Sequence, residues 1–169
     1  MIKPFRLLII LFLLVSVLFC EPPPRDGMAL GYMTTPNSIV YRSPFSDERA
    51  ADFWLDIPEF TIGEVGAFRI GCGAGYAMFI VRQDDFAFML RPQVSFAYIE
   101  QGYHRGEIAL GVAGAVTAYL DHIGLEDVDV YAGISLGSTI ELGEDFTAFH
   151  LLLSRQEPFG ILIGVMKYF

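Results

Sequence analysis

Cysteine, positive charge and long apolar runs are all scarce in this chain. Only two cysteines occur, Cys20 and Cys72. If a leader ending at Cys20 is removed, Cys72 stands alone and no intramolecular disulfide can form. It then reads as a small apolar residue in a strand rather than a reactive thiol. Lysine and arginine together number 11 against 20 acidic residues, and Lys3 and Arg6 lie in the leader. An acid excess of that size argues against nucleic acid or an anionic lipid surface as a partner. Beyond the N-terminus no stretch approaches the roughly 18–20 uncharged apolar residues that a membrane-spanning helix needs. Yet 53% of the residues are hydrophobic, only 18% are charged, and mean hydropathy is +0.46. The apolar residues are therefore distributed in short pieces along a chain of 169 residues, enough for one domain.

The first twenty residues have the layout of an export signal. Lys3 and Arg6 supply a positive start, and Leu7 to Phe19 an apolar stretch of suitable length. Glu21 and Pro22-Pro23-Pro24 then break any helix. The expected division is a signal peptide over 1–20, a short Pro-rich mature N-terminus over 21–26, and one barrel domain over 27–169. Lipidation of Cys20 and retention of the leader as an anchor are the alternatives, although bulky Leu18 and Phe19 stand where small residues favour processing.

From Ala67 onward the chain alternates with a period of two. Phe68, Ile70, Cys72, Ala74, Tyr76, Met78 and Ile80 are apolar, and between them lie Arg69, Gly71, Gly73, Gly75 and Ala77. The same phase returns in the segments containing Phe86 to Tyr98, Ile108 to Leu120 and Val128 to Leu142. Successive side chains of a strand point to opposite faces, so each segment has one bulky apolar face and one small or polar face. The segments match or exceed the ~9–11 residues of a transmembrane strand rather than the ~5–6 of a globular one. Bulk on one face with Gly, Ala, Ser and charges on the other suits a narrow barrel turned inside out, apolar toward lipid.

Polar turns separate the segments: Gln83-Asp84-Asp85, Gln101-Gly102-Tyr103, Ile123 to Asp127 and Glu141 to Asp145. Upstream, Met28 to Thr34 is a first strand, and Ser38 to Phe45 and Ala50 to Ile57 form a hairpin around Ser46-Asp47-Glu48. Pro58 to Val65 reads as an exposed loop. Phe146 to Leu153 is either strand or short helix, and Phe159 to Phe169 is the last strand. This gives nine pieces where a closed antiparallel barrel wants an even number. The expectation is an all-β, single antiparallel up-and-down transmembrane barrel of eight strands with a filled interior, one N-terminal piece being merged or unpaired.

In the last strand Ile161, Ile163, Val165 and Phe169 share one face and the chain ends on an aromatic residue. This resembles the terminal-strand insertion signal of small bacterial outer-membrane β-barrel proteins, the outer membrane protein A/X-like class. Lys167 departs from the pattern, standing where an apolar residue is usual. The resemblance implies residence in the outer membrane of a Gram-negative-type bacterium, lipid and the barrel-assembly machinery as partners, and no particular activity.

Arg42, Asp52, Asp56, Arg69, Arg91, Arg105, Glu107, Asp127, Asp129 and Glu141 fall on the inferred lumenal faces. An eight-stranded interior is just wide enough for side chains to fill, so these charges are expected to pair. Trp54, with Tyr32, Tyr41, Phe45 and Phe53, and likewise Tyr98 and Tyr168, reads as an aromatic girdle. His104, His122 and His150 do not converge in sequence, and no nucleophile is spaced to meet them. Gly71-Cys72-Gly73-Ala74-Gly75 lacks the strand-to-helix context of a phosphate loop. No catalytic residue, metal site or cofactor is expected. A monomer with a structural or surface-interaction role is; a lipid-modifying enzyme and a soluble periplasmic barrel holding an apolar ligand are the alternatives.

Overall fold

The computed structural model describes residues 27–34, 37–62, 66–83, 85–143, 147–151 and 160–169. The inferred leader, the Pro-rich segment and Cys20 lie outside them. Among these described residues ten strands form: β1 (Ala29–Met33), β2 (Ser38–Ser46), β3 (Arg49–Asp56), β4 (Glu59–Thr61), β5 (Ala67–Arg82), β6 (Phe86–Gln101), β7 (His104–Tyr119), β8 (Val128–Gly143), β9 (Thr147–Leu151) and β10 (Gly160–Tyr168). All pairings are antiparallel, and β10 meets both β1 and β8, which closes the sheet into a ring.

The ring has eight positions. The two surplus strands extend their neighbours: β4 continues the β3 position alongside β5, and β9 continues the β10 position alongside β8. The excess piece is thus resolved mainly at the C-terminal end rather than among the N-terminal pieces, every one of which is paired. The reason is that β8 is sixteen residues long and its single free edge takes two partners in succession. Thr147–Leu151 is strand rather than helix, and Glu59–Thr61 within the expected loop is a short strand.

Cross-strand levels followed from Ser135 through Ala113, Arg91, Ala77, Ala50 and Pro44 return beyond the far end of β10, roughly ten residues from Gly160 where the circuit began. Such stagger tilts the strands and leaves an interior only side chains wide. Both described termini and the turns 46–49, 82–86 and 119–128 lie at one end, the base; the opposite end is the mouth. β5 to β8 have sixteen residues each whereas β1 has five, so one side of the wall stands higher at the mouth.

Alternation explains the interior. Inward Val40, Met33, Met89, Tyr131, Leu162 and Met166 are buried, whereas the outward residues between them are largely exposed. Small inward residues leave room for large ones: Gly73 on β5 for Trp54, and Gly75 for Arg91. One irregularity interrupts the phase: the pairing of β5 with β6 slips between Phe79 and Val81. The bulge leaves Ile80 outside and brings Arg82 onto the inward side with Phe79.

Candidate functional site

The centre of the barrel is an ion-pair cluster built across four strand positions. Arg42 on β2 sits directly opposite Asp52 on β3. Its Nε and Nη2 donate to Oδ1 and Oδ2 of Asp52 at 2.6 and 2.8 Å. Arg91, reaching from β6, donates from Nη1 to the same Oδ2 at 3.0 Å. Residual donors are also engaged: Arg42 Nη1 with the Tyr168 hydroxyl at 3.3 Å, and Arg91 Nε with Gln93 Oε1 at 3.1 Å. Sulfurs accept as well, Met89 from Arg42 at 3.3 Å and Met33 from Arg91 at 3.2 Å. All three charged side chains are at most 1% exposed.

Aromatic rings complete the packing. The Arg42 guanidinium lies 5.3 Å from the Phe79 centroid, and Arg91 lies 5.3 Å from that of Trp54. Buried Asp129 supplies a second carboxylate, within electrostatic reach of Tyr168. Burying such charges costs several kcal/mol per ion, and excellent geometry offsets rather than exceeds that cost. The pairs' contribution is therefore to register: a strand slipped by one residue would turn Arg42 or Asp52 outward. Toward the base the gap among Arg42, Phe79, Arg82, Tyr119, Asp129 and Tyr168 is about 10 Å³, the room of a single water. The centre is packed by side chains and sealed.

At the mouth the interior differs. Arg105 bridges Glu107 at 3.3 Å and Glu141 at 3.6 Å, holding together two carboxylates that face each other across β7 and β8. These side chains remain 17–21% exposed. Asp56 accepts from the Ser38 hydroxyl at 2.8 Å and lies within electrostatic reach of Arg69. Small inward residues below this rim, among them Ser95, Gly111 and Gly137, are only partly buried.

Of the expected lumenal set, then, Arg42, Asp52, Arg91 and Asp129 share the sealed centre, while Asp56, Arg69, Arg105, Glu107 and Glu141 line the mouth. Asp127 is corrected: it sits in the base turn at φ +58°, is exposed, and lies 3.6 Å from Lys167. Two girdle assignments are also corrected. Trp54 and Tyr168 are each 4% exposed and point inward, because their positions share the phase of Asp52 and Met166. Phe53, Tyr41 and Tyr98 do face outward. A different aromatic row runs round the outside of the mouth: Phe60 to Phe68 at 5.1 Å, Phe68 to Tyr98 at 6.5 Å, and Tyr98 to His104 at 6.0 Å between centroids. Ile161, Ile163, Val165 and Phe169 are all exposed on the outer face.

His104 lies at the mouth and His122 in the base turn 3.7 Å from Asp85, at opposite ends of β7; His150 lies on β9. Arg82 is a member of the interior that alternation alone misses, since only the bulge turns it inward; Phe79 shares the inward phase of Ala77. Arg82 donates to the Tyr119 hydroxyl at 3.3 Å and to the Asp47 carbonyl. Among the described residues no helix is long and apolar enough to cross a membrane, and no three His, Cys, Asp or Glu side chains gather as metal ligands. The fold defines the class, an antiparallel up-and-down β-barrel. Beyond that class the comparisons with known proteins give nothing: no family model, curated protein or solved structure matches the chain.

Proposed function

We propose that this chain is an integral outer-membrane β-barrel of Gram-negative-type bacteria, exported by its leader, with a structural or surface-interaction role and no catalytic activity. The outer surface carries the argument. Every one of the eight ring positions presents a large apolar side chain to the outside: Leu30, Ile39, Phe53, Ile80, Val94, Leu110, Ile134 and Ile163, each 44–58% exposed. Water-soluble monomers rarely expose more than a few hundred Å² of contiguous apolar surface, and a belt around a whole barrel exceeds that. The belt has the height of a bilayer core. On β6, Phe88, Leu90, Pro92, Val94, Phe96 and Tyr98 face outward in succession. That climb is roughly 33 Å along the strand, or about 25 Å along the axis at a ~40° tilt, which matches the apolar band of outer-membrane barrels.

The packed, sealed centre favours a structural or interactive role over transport. A soluble barrel carrying an apolar ligand would need the opposite arrangement, a polar exterior around an apolar cavity. Outer-membrane lipid and the barrel-assembly machinery are the partners this reading calls for, with the chain as a monomer and without nucleic acid. The test is fractionation of an expressing bacterium, with the outer-membrane fraction run on a denaturing gel unheated and boiled. A band in that fraction that shifts on boiling is the expected result. A soluble periplasmic protein with no shift would overturn the proposal.

A further inference from the structure

We propose that the outer face of the mouth holds one zwitterionic phospholipid, with a length of acyl chain in the slot over Gly106 and the headgroup between His104 and Glu100. The inference rests on the membrane reading above. The slot is a groove of about 250 Å³ lined by Tyr98, His104, Arg105, Gly106, Leu142 and Gly143. It exists because Gly106 stands between two bulky outward neighbours in one cross-strand row, Tyr98 on β6 and Leu142 on β8.

Nothing in the fold requires a glycine there. A Cβ at Gly106 would meet the Phe96 ring at 3.6 Å and the Leu142 carbonyl at 4.0 Å, both ordinary contacts. Its φ is not among the positive values, and glycine within a strand is less stable there than alanine. What the missing side chain provides is the slot itself. The volume is below the ~300–1,000 Å³ of pockets that take a whole small ligand, so it fits a segment of chain. It is continuous with the apolar belt through Leu142, Phe96 and Leu110, which are 42, 49 and 54% exposed.

Above the slot stands a polar pair of two kinds. His104 and Glu100 are direct cross-strand partners, and both are exposed. Tyr98 Oη and His104 Nδ1 lie 2.6 Å apart with their rings stacked. With the phenol donating, the imidazole presents Nε2–H as a donor, suited to a phosphodiester oxygen. The Glu100 carboxylate suits an ammonium. A headgroup bearing both, such as phosphoethanolamine, satisfies the pair, whereas a purely anionic one would set its charge against Glu100.

The test uses the whole mature barrel folded in detergent, exposed to phosphatidylethanolamine or phosphatidylglycerol, progressively delipidated and examined by native mass spectrometry. The wild type is expected to retain one phosphatidylethanolamine in preference to phosphatidylglycerol. Gly106→Leu fills the slot and is expected to lower retention about tenfold; Glu100→Gln is expected to level the two lipids. Both variants should keep the heat-dependent gel shift. Equal retention by wild type and Gly106→Leu, or no retained lipid in a heat-shifting wild type, overturns the site. Equal retention of the two lipids by the wild type overturns its zwitterionic character. A wild type that does not shift on heating overturns the membrane reading, and the lipid site falls with it.

Discussion

The Trp54 indole lies so close against Gly73, its neighbour across β3 and β5, that a Cβ at that glycine would fall inside the ring's van der Waals envelope. The Arg91 guanidinium is placed over the same ring and reaches on to Asp52. A methyl group at position 73 therefore does more than crowd the indole; it displaces the support of a buried cation. Gly73→Ala is expected to destabilise the barrel by about 1–3 kcal/mol, the usual cost of overpacking. Trp54→Leu in the same chain should remove much of that penalty, so the two substitutions should be non-additive. Urea unfolding of the four variants of the cycle, in one detergent at one concentration, checks it.

Asp52 is the shared acceptor of Arg42 and Arg91, and all three are buried. Asp52→Leu would leave two guanidiniums uncompensated, and the expected loss is about 3–5 kcal/mol. Replacing all three at once, with Arg42→Met and Arg91→Met beside Asp52→Leu, should recover most of that stability, because no buried guanidinium is then left without its acceptor. Unfolding midpoints decide the matter. An Asp52→Leu barrel as stable as the wild type would show that the centre relaxes and admits water.

Strand placement, the eightfold ring and the inward side of the charges that form the centre were legible because alternation is a direct consequence of backbone geometry. Arg42, Asp52, Arg91 and Asp129 all share the phase of small residues, and burial followed. The same holds for the inward aromatics: Trp54 and Tyr168 lie in the inward phase, and position rather than residue type decides their side. The bulge near Ile80 carries no such mark. An extra residue inserted into one strand changes the phase without changing composition, so the place of Arg82 beside inward Phe79 became visible only in three dimensions. Which strands share a ring position was equally hidden, because β8's length permits two successive partners without dictating them.

Lys167 interrupts an otherwise apolar outward row, and the structure shows how it is accommodated. Its ammonium turns toward the base, donating to the Glu126 carbonyl at 2.6 Å and lying 3.6 Å from the Asp127 carboxylate. The long apolar stem covers the wall while the charge reaches the rim. Both partners are about half exposed, so the ion pair itself is worth little. Lys167→Met should therefore change unfolding free energy by no more than about 0.5 kcal/mol. A loss well above that, measured in vesicles by urea unfolding, would mean that the contact clips β10 to the base turn and supports closure of the ring.

Leu110 and Ile123 offer the sharpest discrimination between water and lipid as the solvent of the outer wall. They are 54% and 61% exposed, so in water an arginine at either site should be tolerated within about 0.5 kcal/mol. In a bilayer the two sites separate. Leu110 faces outward midway along β7, within the belt, whereas Ile123 lies in the base turn. Leu110→Arg is then expected to cost about 2–4 kcal/mol on folding into vesicles, and Ile123→Arg only about 0–1 kcal/mol. Because exposure is nearly equal, a difference between the variants cannot arise from lost packing alone. Equal, small effects would place the belt in water and undo the membrane reading; a difference of the expected size would put Leu110 in contact with hydrocarbon.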